Sequence, residues 1–159
     1  MPPETGAGRA ARRAPAAFRA GAWAWILTGA GHLTLELVMA LRPEDPGRAR
    51  AVAAMRAYEI GLGGVSRSLR DIDLGMSMVM GTALVFGGLI CLLVARAAPA
   101  LITGSRALSG PALAASLVVL GLSVALLPLP PVVLFTVACV GFGVAVATAR
   151  PAASGARAG

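Results

Sequence analysis

The sequence predicts an all-α membrane protein: an antiparallel four-transmembrane-helix bundle with an interfacial helix between spans one and two. Three observations carry this. Four apolar runs reach the roughly 20 residues that a helix needs to cross a bilayer core about 30 Å thick. Charges fall almost wholly between those runs. The chain is 57% hydrophobic with mean hydropathy +0.80, against about 45 to 50% apolar residues in an ordinary soluble domain.

Residues 1–20 are mostly Ala, Pro, Gly and Arg, a composition expected to form a disordered basic tail. Arg12 and Arg13 ahead of an apolar run resemble the start of a secretory signal. The run is too long for a usual signal core and lacks a small-x-small cleavage site, so an uncleaved first span is expected over 21–41. The prolines and acids of "LRPEDPG" end that span. Asp45 as N-cap and Pro46 at the first helical position then start "GRARAVAAMRAYEIGL". Its Val52, Met55, Ile60 and Leu62 alternate with Arg48, Arg50, Arg56 and Glu59, a pattern for a helix resting on the membrane surface.

"GLGG" at 61–64 breaks this segment, and Ser66 is expected to cap the next helix. That helix begins polar, "SRSLRDID", and becomes span two over 74–95. The loop "RAAPALITGSRA" leads to span three, 108–127, and "PLPP" at 128–131 reads as a tight hairpin into span four, 132–149. Residues 150–159 read as a disordered C-terminal tail. Orientation follows from arginine counts near the span ends. With the N-terminus inside, eight arginines (9, 12, 13, 19, 96, 106, 150, 157) are cytoplasmic and six (42, 48, 50, 56, 67, 70) are outside. Both termini are therefore expected on the cytoplasmic side of a bacterial inner membrane.

The formal charge of +7 comes from 14 Arg and no Lys set against seven acids. These arginines flank apolar spans, aromatic residues make up only 4%, and no nucleic-acid-reading motif is present. The basic charge thus reads as a topology signal and an attraction to anionic headgroups, with no nucleic-acid partner. Cys91 and Cys139 lie inside spans two and four and form no CxxC motif. Both read as small buried hydrophobes.

Span one nevertheless carries ionisable residues. Thr28, His32 and Glu36 recur every fourth position and share one helix face, with Trp25 and Met39 near its ends. With residue 31 as the span centre, His32 lies near the midplane and Glu36 about 7 to 8 Å towards the first loop. Ile26, Leu27, Leu33, Leu35, Leu37, Val38 and Leu41 each favour insertion by roughly 0.3 to 0.6 kcal/mol, whereas one central charge costs roughly 2.5 to 3.5 kcal/mol. These terms nearly cancel, so the stripe is expected to face other helices. Its expected partners stand at the start of span two. Arg70, Asp73 and Ser77 form one stripe continuing through Gly81 and Gly88, and Arg67 with Asp71 a second beside it. An Arg-carboxylate pair with Glu36 would neutralise both charges, and Ser77 and Gly81 would allow close helix approach. The candidate intramembrane polar site is therefore Thr28, His32, Glu36, Arg67, Arg70, Asp73 and Ser77.

Two other patterns favour packing. Met76, Met78 and Met80 could supply soft ligands to Cu(I) or haem iron, but residues two apart do not all share one helix face, and methionine is a common interface filler. The small-xxx-small pairs Gly110/Ala114, Gly121/Ala125, Gly141/Ala145 and Gly143/Ala147 suggest tight helix contacts or a dimer face. In a chain with 34 Ala and 20 Gly, such pairs also arise by chance.

"TGAGHL" in span one and "DIDLGMSMVMG" at the start of span two resemble a group of uncharacterised bacterial four-span membrane proteins. In that group a Gly-x-x-His-Leu start is followed by an Asp, Gly and Ser pattern leading into the second span. The resemblance covers roughly residues 22–95 and points to Gly29, His32, Asp73, Gly75, Ser77 and Gly81. Gly29, Gly75 and Gly81 are the positions expected to pack helices closely. The resemblance implies no activity, and Glu36 and the methionines lie outside its pattern. No HExxH, Ser/His/Asp set or Walker loop appears, so no catalytic residue, cofactor or metal is expected. The leading expectation is a non-enzymatic membrane component whose partners are the lipid bilayer and either a second copy or another membrane protein. The alternative is proton-coupled small-solute transport or small-ligand binding through His32 and Glu36.

Overall fold

The computed structural model describes residues 6–43 and 45–149. Six helices and one β-hairpin follow in the order α1 (Gly6–Leu41), α2 (Pro46–Ala57), β1 (Glu59–Leu62), β2 (Val65–Ser68), α3 (Leu69–Ala97), α4 (Ala100–Thr103), α5 (Ser109–Leu126) and α6 (Leu129–Thr148). Four segments, Arg13–Leu41, Leu69–Ala97, Ser109–Leu126 and Leu129–Thr148, are helical, long and apolar enough to cross a membrane. The chain is thus a multi-pass integral membrane protein.

Four boundaries differ from the sequence expectation. Helix α1 begins at Gly6, so residues 6–20 are helical, whereas their composition predicts part of a disordered tail over 1–20. Alanine, the strongest helix former, carries the chain through Pro15. Ala14 and Phe18 are already buried, so packing begins ahead of the apolar run. The tails expected at 1–5 and 150–159 lie outside the described residues.

Helix α2 starts as expected, with Arg48 N–H donating to the Asp45 carboxylate over 3.2 Å and Pro46 in the first turn. It stops at Ala57, however, and residues 59–62 form a strand. Gly63 and Gly64 have φ of +58° and +82°, the paired left-handed conformation of a two-residue type I′ hairpin turn. Glu59 then opposes Ser68, and the Ser66 hydroxyl donates to the Glu59 carboxylate over 2.8 Å. Ser66 is therefore a strand residue, and Ser68 caps α3. The Asp71 N–H donates to the Ser68 hydroxyl (3.1 Å), which donates in turn to the Asp71 carboxylate (2.7 Å). In "PLPP", only Pro128 lies outside the helix, because proline is tolerated in a first turn where no N–H is needed.

The chain divides into two compact units: Met1–Thr28 with Val85–Gly159, and Gly29–Leu84. The core of the first unit joins Phe18 and Ala22 of α1, Cys91 and Ala95 of α3, Ile102 of α4, Ala112 of α5, and Ala138, Phe142 and Ala145 of α6. The Phe142 ring meets Phe18 and Trp25 edge-on, each with ring centroids 5.2 Å apart. The Trp25 indole N–H donates to the Ser116 hydroxyl (3.0 Å), which donates on to the Ala112 carbonyl (2.8 Å). A Cβ at Gly141 would stand 2.6 Å from the Ala17 carbonyl oxygen, and one at Gly88 2.7 Å from that of Ala22. Both positions require glycine for backbone approach. Of the four small-xxx-small pairs, Gly141/Ala145 has both members buried, whereas Gly121 and Ala125 are exposed and Gly110 has no neighbour where a Cβ would stand. Cys91 is buried and Cys139 half-buried, both as free thiols.

The second unit holds the C-terminal part of α1, α2, the hairpin and the N-terminal part of α3. Gly81 of α3 packs on α1, where an added Cβ would fall 2.9 Å from the Leu33 side chain and 3.3 Å from the Gly29 carbonyl oxygen. Gly81 thus lies against the backbone of α1 at Gly29. Gly75 has no such neighbour: it is exposed, and a Cβ added there would meet nothing within 4 Å.

Candidate functional site

The candidate site lies in the second unit, where α1 and α3 run antiparallel. Arg70, in the first turn of α3, reaches two carboxylates. Its Nη2 is 3.8 Å from Glu36 Oε2 on α1, and its Nη1 donates to Asp73 Oδ2 over 2.9 Å. The Glu36 and Arg70 side chains are 20% and 22% exposed, whereas Asp73 is 50% exposed. The cross-helix pair is therefore more shielded than the pair within α3. At about 4 Å and an effective dielectric near 20, the Coulomb attraction is about 4 kcal/mol. Desolvation and sharing with Asp73 lower the net contribution to on the order of 1 kcal/mol.

The remaining predicted members are dispersed. Arg67, on strand β2, is exposed and donates to the Ser66 carbonyl (3.1 Å), because the hairpin removes it from the α3 face on which a continuous helix would place it. The Thr28 hydroxyl donates to the Ala24 carbonyl (2.8 Å), which satisfies it within its own helix. Ser77 is half-buried and joins neither Glu36 nor His32 by a hydrogen bond among the described residues. His32 shares the Glu36 face of α1, with its Nε2 atom buried and, among the described residues, without a hydrogen-bond partner. Met76, Met78 and Met80 are all exposed. Among the described residues, no group of three or more His, Cys, Asp or Glu side chains is arranged to hold a metal.

A polar contact that sequence reasoning missed closes the end of α1. Arg48 of α2 donates from Nη1 to the Met39 carbonyl over 2.7 Å, satisfying an acceptor that the helix end leaves free. The signal for it is Arg48 two residues into α2, a short turn beyond α1, whose last turn has no basic residue of its own. In the first unit, Arg19 likewise reaches the Ala95 carbonyl in the last turn of α3, at 3.4 Å.

Four membrane-competent helices define a multi-pass integral membrane protein, and Arg70 pairs with Glu36 of α1 and Asp73 of α3. Comparison with known protein families, curated proteins and solved structures gives no match.

Proposed function

We propose that this protein is a non-enzymatic component of a bacterial cytoplasmic membrane that packs with itself or with a partner protein, its first two spans held in register by a polar clamp. The observation that carries this reading is Arg70 bridging Glu36 of one helix and Asp73 of its own. A guanidinium between two carboxylates is satisfied without a ligand, which suits a structural role. In this reading the four spans form an antiparallel bundle, and α2 lies on the membrane surface, where it buries no residue completely. Both termini are cytoplasmic, in accord with eight arginines inside and six outside. The resemblance of "TGAGHL" and "DIDLGMSMVMG" to bacterial four-span proteins accords with that membrane.

The deciding experiment combines stability with oligomeric state in detergent. Glu36→Gln should lower the unfolding midpoint, and light scattering with cross-linking should find a dimer or a co-purifying membrane partner. A strictly monomeric protein, without partner in its native membrane, would overturn the packing role.

One observation favours a second reading, in which His32 and Glu36 exchange protons or bind a small solute: the buried, unpartnered Nε2 of His32. His32 is the only histidine in the chain, so its side-chain NMR signals can be followed from about pH 5 to 9 without assignment. A ring that titrates while the fold persists supports proton exchange. A ring fixed in one state throughout excludes it.

A further inference from the structure

Beside the clamp, within the second unit, a cavity of about 280 Å³ has walls of two characters. Met39, Val52 and Leu74 are apolar, and the arginines Arg48, Arg56 and Arg70 face one acid, Asp71. Arg70 is held by Glu36 and Asp73, which lie outside the lining, so Arg48 and Arg56 are the other two lining arginines, opposed by Asp71. Arg48 is already fixed by its 2.7 Å bond to the Met39 carbonyl, and Asp71 by its 2.7 Å bond from Ser68. Counting Glu36 and Asp73, three arginines meet three acids, so the cluster as a whole balances while the cavity lining itself carries three positive charges against one, which suits a singly charged phosphodiester better than a multiply charged phosphate.

Position narrows the ligand further. Met39 is two residues from the end of α1, and Leu74 is in the second turn of α3. Helix α3, with 29 residues, is about 43 Å long, whereas the hydrocarbon core is about 30 Å thick, so its terminal turns reach headgroup depth. A volume of about 280 Å³ falls just below the range of drug-sized ligand pockets, about 300 to 1,000 Å³. That admits a headgroup but not acyl chains, which would remain in the bilayer against the apolar wall.

We propose that this cavity binds the phosphodiester of a phospholipid headgroup, with Arg48 and Arg56 meeting the phosphate oxygens and Met39, Val52 and Leu74 contacting the glycerol end. The test uses the full chain purified in dodecyl maltoside, with native mass spectrometry of adducts formed with phosphatidylglycerol. Diacylglycerol, which has the same apolar part and no phosphate, is the comparator. Phosphatidylglycerol should bind and diacylglycerol should not, and Arg56→Gln should weaken the lipid about tenfold, the equivalent of one charge-assisted hydrogen bond. Arg56 is exposed, so this variant should fold even where Arg48→Gln, which also frees the Met39 carbonyl, does not. Arg106→Gln, outside this unit, should leave binding unchanged. Equal retention of both lipids, or unaltered binding by Arg56→Gln, would overturn the proposal. Displacement of the lipid by millimolar inorganic phosphate would overturn the lipid source and make the cavity a site for free phosphate.

Discussion

Gly141→Ala adds one methyl group where α6 meets the backbone of α1. The new Cβ would lie 2.6 Å from the Ala17 carbonyl oxygen, 2.8 Å from the Gly21 nitrogen and 3.1 Å from the Gly21 Cα. An ordinary carbon-to-oxygen contact is about 3.3 Å or longer, so the helices must separate by about 0.7 Å, and no flexible side chain can yield instead. Overpacking of this kind costs about 1 to 3 kcal/mol. Alanine also gains about 1 kcal/mol over glycine in helix propensity, which partly masks the clash. Gly121→Ala supplies the correction, because it too is helical and has nothing within 4 Å of the added methyl. The propensity gain is common to both variants, so their difference isolates the packing penalty. Gly141→Ala should be less stable than Gly121→Ala by about 1 to 3 kcal/mol. Unfolding by SDS in dodecyl maltoside micelles, followed by far-UV circular dichroism, measures this, and Trp25 fluorescence reports the same core through its Phe142 contact. Equal stability of the two variants would refute the close α1–α6 approach.

Other perturbations test separate contacts. A double-mutant cycle of Glu36→Gln and Arg70→Met, read by the same unfolding assay, should give a coupling energy on the order of 1 kcal/mol; zero coupling would remove the clamp. Trp25→Phe deletes the donor to Ser116 but also shrinks the ring, so the bond is read from a double-mutant cycle with Ser116→Ala, which should give a coupling of about 0.5 to 1.5 kcal/mol. Gly63→Ala forces a side chain onto φ +58° and should destabilise the hairpin by about 1 to 2 kcal/mol, visible as faster amide exchange at Leu69, whose N–H donates to the Tyr58 carbonyl. Ser68→Ala should cost about 1 kcal/mol by removing the α3 cap, whereas Ser66→Ala should leave α3 intact.

The four spans are legible in the sequence because hydropathy depends on composition alone. Span three is expected at 108–127 and is found at Ser109–Leu126, and the start of α2 at Asp45 and Pro46 follows from capping chemistry that acts over three residues. The helix at 6–20 escapes the same reasoning because Ala14 and Phe18, the buried side chains among its described residues, stand amid arginines in the sequence, and hydropathy registers the arginines. The hairpin escapes for a different reason. "GLGG" reads as a break, yet paired glycines at positive φ are also a reversal signal, and reversal pairs Glu59 with Ser68.

That reversal also decides which part of the candidate site is legible. Helical spacing places Arg70, Asp73 and Ser77 on one stripe and Arg67 with Asp71 on a second beside it only if the helix runs through all of them. Helix α3 begins at Leu69, so Arg70 and Asp73 keep their relationship and Arg70 reaches Glu36, while Arg67 becomes a strand residue. Backbone hydrogen bonding divides the α1 stripe in the same way. Thr28 satisfies its hydroxyl on the carbonyl four residues back, an option that an ionised Glu36, with no donor, does not possess. Glutamate finds a cation across the helix interface, and His32 retains a buried nitrogen without a partner among the described residues. Burying such an atom costs about 1 to 3 kcal/mol, comparable with the clamp itself, so the span containing it is stabilised by its packing and by Arg70, not by its polar stripe as a whole.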